Sequence, residues 1–92
     1  MGTLQYGSDL QVELGDDLLG HLEAALISKL RRSESFALRL DDETGARTIW
    51  VSSASQLVFT YAGERPAIDR AWLEAIVETA NTPAGLRLLP KP

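Results

Sequence analysis

The sequence predicts an α+β domain: an antiparallel sheet with two helices packed on one face, in the chain order strand, strand, helix, three strands, helix, with a candidate strand after it. Three observations lead there. From Ser35 to Ala62, apolar-rich runs of strand length, Ser35 to Asp41, Arg47 to Ser53 and Leu57 to Ala62, are separated by polar turn-like residues. At the start of the chain, apolar and polar residues alternate with period two. Two further stretches, Asp16 to about Arg32 and Asp69 to Ala80, place apolar residues at helical spacing on one side only.

In the first segment Leu4 and Tyr6 alternate with Thr3 and Gln5, and Leu10, Val12 and Leu14 alternate with Gln11 and Glu13 across Gly7-Ser8-Asp9. This is the pattern of a hairpin with one buried and one wet face. Gly15-Asp16-Asp17 then opens a helix, with Asp16 the expected N-cap and Asp17 favourably placed at the positive end of the dipole. Leu19, Leu22, Leu26 and Leu30 form its buried stripe. Lys29, Arg31 and Arg32 close it, where cations offset the carbonyl end.

The middle segment reads as a three-stranded meander. A four-residue turn from Asp42 to Gly45 sets Leu38 opposite Ile49 and Phe36 opposite Val51, so these four share one face and Ala37, Arg39, Thr48, Trp50 and Ser52 the other. Placing Leu57, Phe59 and Tyr61 on the inner face requires an odd-length connection such as Ser52 to Gln56. A loop from Ala62 to Ala67 leads to the second helix, with Asp69 as its cap and Ile68 and Leu73 spaced as a hydrophobic staple. Trp72, Leu73, Ile76, Val77 and Ala80 form its apolar face. Asn81, able to take a left-handed cap, and Pro83 end it, and Gly85 to Leu89 is a candidate edge strand.

With 92 residues, 45% hydrophobic and 24% charged, the chain is expected to form a single domain, 1–92. The absence of cysteine excludes disulfides, thiolate catalysis and cysteine-held metal. No basic-then-apolar leader and no apolar window of spanning length is seen, so a cytoplasmic protein without membrane contact is expected. A net charge of -4 argues against a broad phosphate-binding footprint.

Chemistry-bearing residues are sparse. His21, the single histidine, lies beside the leucine stripe and reads as a half-buried helix residue. Asp41-Asp42-Glu43 reads as turn chemistry at a hairpin tip. No phosphate loop and no nucleophile elbow is present. Lys29 and Lys91 are the only lysines, and neither has the aspartate-glycine setting of a nucleotidyl-transferase lysine. No catalytic residue, metal ligand or cofactor site is therefore assigned. From Asp16 to Ala80 the element order matches a double-stranded-RNA-binding domain, but the start of the second helix lacks the lysines that grip phosphate there.

The whole chain resembles a family of short, uncharacterised actinobacterial proteins often given the name ATP-dependent DNA ligase. The resemblance is carried by Met1-Gly2, Leu4 and Tyr6, His21-Leu22, Lys29 to Arg32, Glu34-Ser35-Phe36, Ile49-Trp50, Phe59, Tyr61 and Gly63, Pro66, Ile68, Arg70 and Trp72, and Gly85-Leu86. It implies a stand-alone domain without established activity. The expected function is a non-enzymatic binding or assembly module that forms a homo-oligomer, most simply a dimer. Its working surface would be the open sheet face (Arg39, Thr48, Trp50, Val58) or the basic corner. The alternative is a nucleic-acid-associated accessory domain, linked to ligase or repair by family name, using the basic patch Lys29, Arg31, Arg32 and Arg65.

Overall fold

The computed structural model describes residues 1–42, 45–83 and 85–89. In chain order it contains β1 (Gly2–Tyr6), β2 (Leu10–Leu14), α1 (Asp16–Leu30), β3 (Phe36–Asp42), β4 (Gly45–Val51), β5 (Leu57–Thr60), α2 (Arg70–Thr79) and β6 (Leu86–Arg87). The α+β class and the order of elements are those the patterning predicts.

The strands divide into two three-stranded sheets, ordered β2-β1-β5 and β4-β3-β6. The register of β3 with β4 is the expected one, with Phe36 opposite Val51 and Leu38 opposite Ile49. Phe36, Leu38, Ile49 and Val51 are buried, and Arg39, Thr48 and Trp50 are exposed on the reverse side. The third strand of the meander is corrected. β5 pairs antiparallel with β1, placing Phe59 opposite Leu4 and Leu57 opposite Tyr6, so the middle segment is a hairpin plus a strand that crosses to the other sheet. Its facing is nonetheless as expected: Leu57 and Phe59 pack on the core while Val58 and Thr60 are exposed. Alternation dictates which side chains turn inward, but not which strand lies alongside. The final strand, β6, is parallel to β3, with Leu86 beside Leu38 and Arg87 beside Arg39. Glu43 and Thr44, at the expected turn, lie outside the described residues.

Each sheet has its own helix. α1 packs on β1 and α2 along β6, and the helices meet each other. The core is continuous across both halves and includes Leu4, Leu19, Leu22, Leu38, Val51, Ile76 and Leu86. One hydrogen bond ties the sheets together, Tyr6 Oη donating to Trp50 O at 2.6 Å, while Gly7 N donating to Gln56 O at 2.8 Å extends the β1–β5 pairing by a further rung.

The helix ends differ from expectation at two points. Gly15, not Asp16, is the N-cap of α1, and no side chain caps it. The Asp16 carboxylate instead accepts from Gly63 N at 3.2 Å and Ala62 N at 3.4 Å, holding the chain that leaves β5. Asp69 caps α2 as expected, accepting from Trp72 N at 3.2 Å. The left-handed residue after a helix is Ser33 (φ 56°) beyond α1, whereas Asn81 has no positive φ. At Gly85 (φ 86°) an added Cβ would lie 2.6 Å from Ala37 O, so glycine there both permits the backbone turn and lets β6 approach β3.

Candidate functional site

The polar groups where the two halves meet are engaged in structure. His21 is 2% exposed and its ring lies 4.1 Å from that of Trp72, centroid to centroid. The burial is deeper than the half-buried position expected. Asp69 N, which can only donate, approaches Nε2 at 2.8 Å, and Asp17 O, which can only accept, lies 2.7 Å from Nδ1. The tautomer protonated on Nδ1 satisfies both contacts. Trp72 Nε1 in turn donates to Leu89 O at 2.9 Å. The sequence signal for this keystone was the histidine beside the leucine stripe; its partner 48 residues on was not readable from local pattern. Among the described residues no three histidine, aspartate or glutamate side chains gather as a metal site requires.

The basic patch expected from the sequence does not assemble as a unit. Lys29 is buried, and its Nζ donates to Glu34 Oε2 at 2.7 Å, a contact made possible by the left-handed turn at Ser33. That hydrogen bond, followed by the Lys29 and Arg32 charges, holds the Glu34 carboxyl below its ordinary value. Arg32 lies 3.9 Å from the other Glu34 oxygen, and Arg31 is exposed. Arg65 stands apart, 4.0 Å from Glu23 and 5.9 Å above the Tyr61 ring. Tyr61 Oη donates to Glu23 Oε1 at 2.6 Å. Burial, then that hydrogen bond and the Glu23 charge, push the Tyr61 hydroxyl well above its ordinary value. Lys91 lies outside the described residues.

The open-face candidates are brought together in part. Arg39, Thr48 and Trp50 share the outer face of the β4-β3-β6 sheet, and Arg87 joins them from β6. Trp50, 61% exposed, stands beside Ala37, which is in turn backed by Gly85, so the indole rises next to a low floor. A second row, Arg87, Arg39 and Thr48, runs parallel to it one pleat away. Val58 is placed elsewhere: it lies beside Gln5 on the outer face of the β2-β1-β5 sheet, because β5 crossed to β1. Arg87 was missed because a strand of two residues gives no period to read, and only its parallel pairing sets it beside Arg39.

A family model described as a domain of unknown function, DUF7882, matches residues 1–91. The chain belongs to this family. No curated protein and no solved structure matches it. The DUF7882 match spans both sheets and both helices, so the outer face and the buried junction lie within one family unit. Among the described residues no helix is long and apolar enough to cross a membrane.

Proposed function

We propose that this DUF7882 domain is a non-enzymatic assembly module, acting in the cytoplasm, that pairs with a second copy of itself through the outer face of the β4-β3-β6 sheet. One observation carries the reading: a tryptophan 61% exposed on a sheet face beside small residues, in a chain whose other tryptophan is 3% exposed. Tryptophan concentrates interface energy when a partner excludes water from it. Isologous pairing is the commonest way for a small domain to cover such a face. A two-fold axis lying between the faces and parallel to the Trp50 and Ala37 row brings the two indoles together. It also carries the two Arg39 and Arg87 rows to opposite ends of the contact, so like charges are not forced against each other. Light scattering after size exclusion tests this: wild type should run as a dimer at high micromolar concentration and Trp50→Ala as a monomer. A wild-type monomer ends the reading, and a dimer untouched by Trp50→Ala moves the interface elsewhere.

A second reading has its own support in the same residues. Trp50 with Arg39 and Arg87 offers a stacking ring and two cations on one face, a combination suited to single-stranded nucleic acid. Oligonucleotide binding that falls steeply with salt and is lost in Arg39→Ala/Arg87→Ala would favour it over self-assembly. Ligase activity is not part of either reading. The Lys29 ammonium is committed to Glu34, so no covalent adenylate is expected on it from labelled ATP.

A further inference from the structure

Away from the sheet face, the exposed side of α1 carries a groove that neither proposed function uses. Two exposed apolar side chains, Ile27 (48%) and Ile68 (45%), line it together although they come from different elements. Ile68, just before α2, forms one wall of the groove. The groove exists because Pro66 seats on α1 at Gly20, where an added Cβ would lie 2.6 Å from Pro66 Cγ. Tyr61 and Asp16 secure the rest of the loop, through Glu23 and through Gly63 N. Ala24 and Ile27 form a ridge shared with a second hollow, whose far wall is Arg31 and Arg32.

The charge around this floor opposes that of the chain. The protein has a net charge of -4, yet the charged residues lining the two hollows are Arg31, Arg32, Arg65 and a single acid, Glu23. Glu23 accepts from Tyr61 Oη and lies 4.0 Å from Arg65, and Arg32 lies 3.9 Å from Glu34, so three arginines face two carboxylates and the rim keeps a positive excess. From Gly20 to Arg31 the helix rises about 16 Å, room for about three turns of a partner helix. A floor of that length, apolar at its centre where Ala24, Ile27 and Ile68 lie and with arginines at both ends, matches helix-in-groove recognition with acidic flanks.

We propose that the groove between α1 and the Tyr61 to Ile68 loop docks an amphipathic helical peptide segment of a partner protein, with apolar anchors seated on Ile27 and Ile68 and acidic residues facing Arg31 and Arg65. The proposal is independent of the Trp50 face. Its test uses the full chain with three synthetic probes: a 16-residue helical peptide with a leucine stripe flanked by glutamates, its lysine-for-glutamate counterpart, and vesicles of phosphatidylglycerol. Amide chemical shifts map the contact and fluorescence anisotropy of labelled peptide gives affinity. The glutamate peptide should bind, with shifts confined to residues 24–32 and the 61–68 loop. The lysine peptide should bind at least about tenfold more weakly. Arg31→Gln/Arg65→Gln, both at exposed positions, should weaken binding by a similar factor in protein that stays folded, whereas Trp50→Ala should leave it intact. Equal binding of the two peptides, shifts on the Trp50 face, or no binding at millimolar peptide would overturn the proposal. So would vesicle binding through the same arginines without peptide binding, which makes the occupant a lipid surface. Groove shifts that follow protein concentration alone would overturn it too, making the occupant a second copy.

Discussion

The two tryptophans occupy opposite kinds of environment, and the contrast separates what holds the domain together from what it presents. Trp72 lies where the halves meet: 3% exposed, ring against His21, indole N–H on Leu89 O. Trp50 lies on the outer face of a sheet whose inner face is already filled, 61% exposed beside Ala37. A side chain with its surface buried and its polar atom paired is explained by folding. One of the same type left in water beside small neighbours adds little to folding, and it is the surface that the proposed pairing would cover.

The largest expected effect lies on the buried side of this contrast. Trp72→Ala should lower stability by about 3 to 5 kcal/mol, the usual range for a buried tryptophan, with a visible drop in urea midpoint. Trp50→Ala should change monomer stability by less than about 0.5 kcal/mol, as substitutions on exposed surface do. Comparable losses for both would break the distinction.

His21 comes next. His21→Ala leaves the part-buried Asp69 N–H without its acceptor, a cost of up to about 1 kcal/mol before lost packing on Trp72 is added. His21→Gln, which can return an oxygen toward that N–H, should recover part of the loss, and nitrogen shifts of the wild-type ring should report the proton on Nδ1. A ring protonated on Nε2 instead would dismantle the assigned role.

The smallest effect concerns Tyr61, half-buried and so intermediate between the tryptophans. Because burial and Glu23 keep its hydroxyl protonated above the ordinary value of 10.0, the unfolded chain ionises first. Its contribution to stability is therefore fully present below about pH 10 and is lost as pH rises beyond it toward the folded value. Denaturant titrations from about pH 8 to 11 should show a shallower alkaline decline for Tyr61→Phe than for wild type. Parallel declines would place Tyr61 in water.

Much of this was legible in the sequence because it is local. The β3–β4 register followed from period two and the spacing of Leu38 and Ile49, and Trp50 fell on the outer face by the same count. Leu57 and Phe59 turn inward by the alternation within their own run, although the odd-length connection expected before them leads to the other sheet. What depends on distant partners was not legible. β5 shows its facing but not that β1 is its neighbour, and so Val58 was grouped with Trp50 although the two lie on different sheets. Lys29 looked like surface charge because nothing local shows that the turn at Ser33 returns Glu34 to it. The α1 groove needed Pro66 on Gly20, 46 residues apart in number and adjacent in space.

The central claim, that the Trp50 face is where this domain meets a second copy, is tested most directly by a Trp72→Phe variant in which Trp50 is the sole emitter. Its emission should be that of a water-exposed indole at nanomolar concentration and shift to shorter wavelength, with loss of iodide quenching, as concentration rises into the high micromolar range. An emission that stays exposed and quenchable throughout, in protein that light scattering shows to be folded and monomeric, would contradict it.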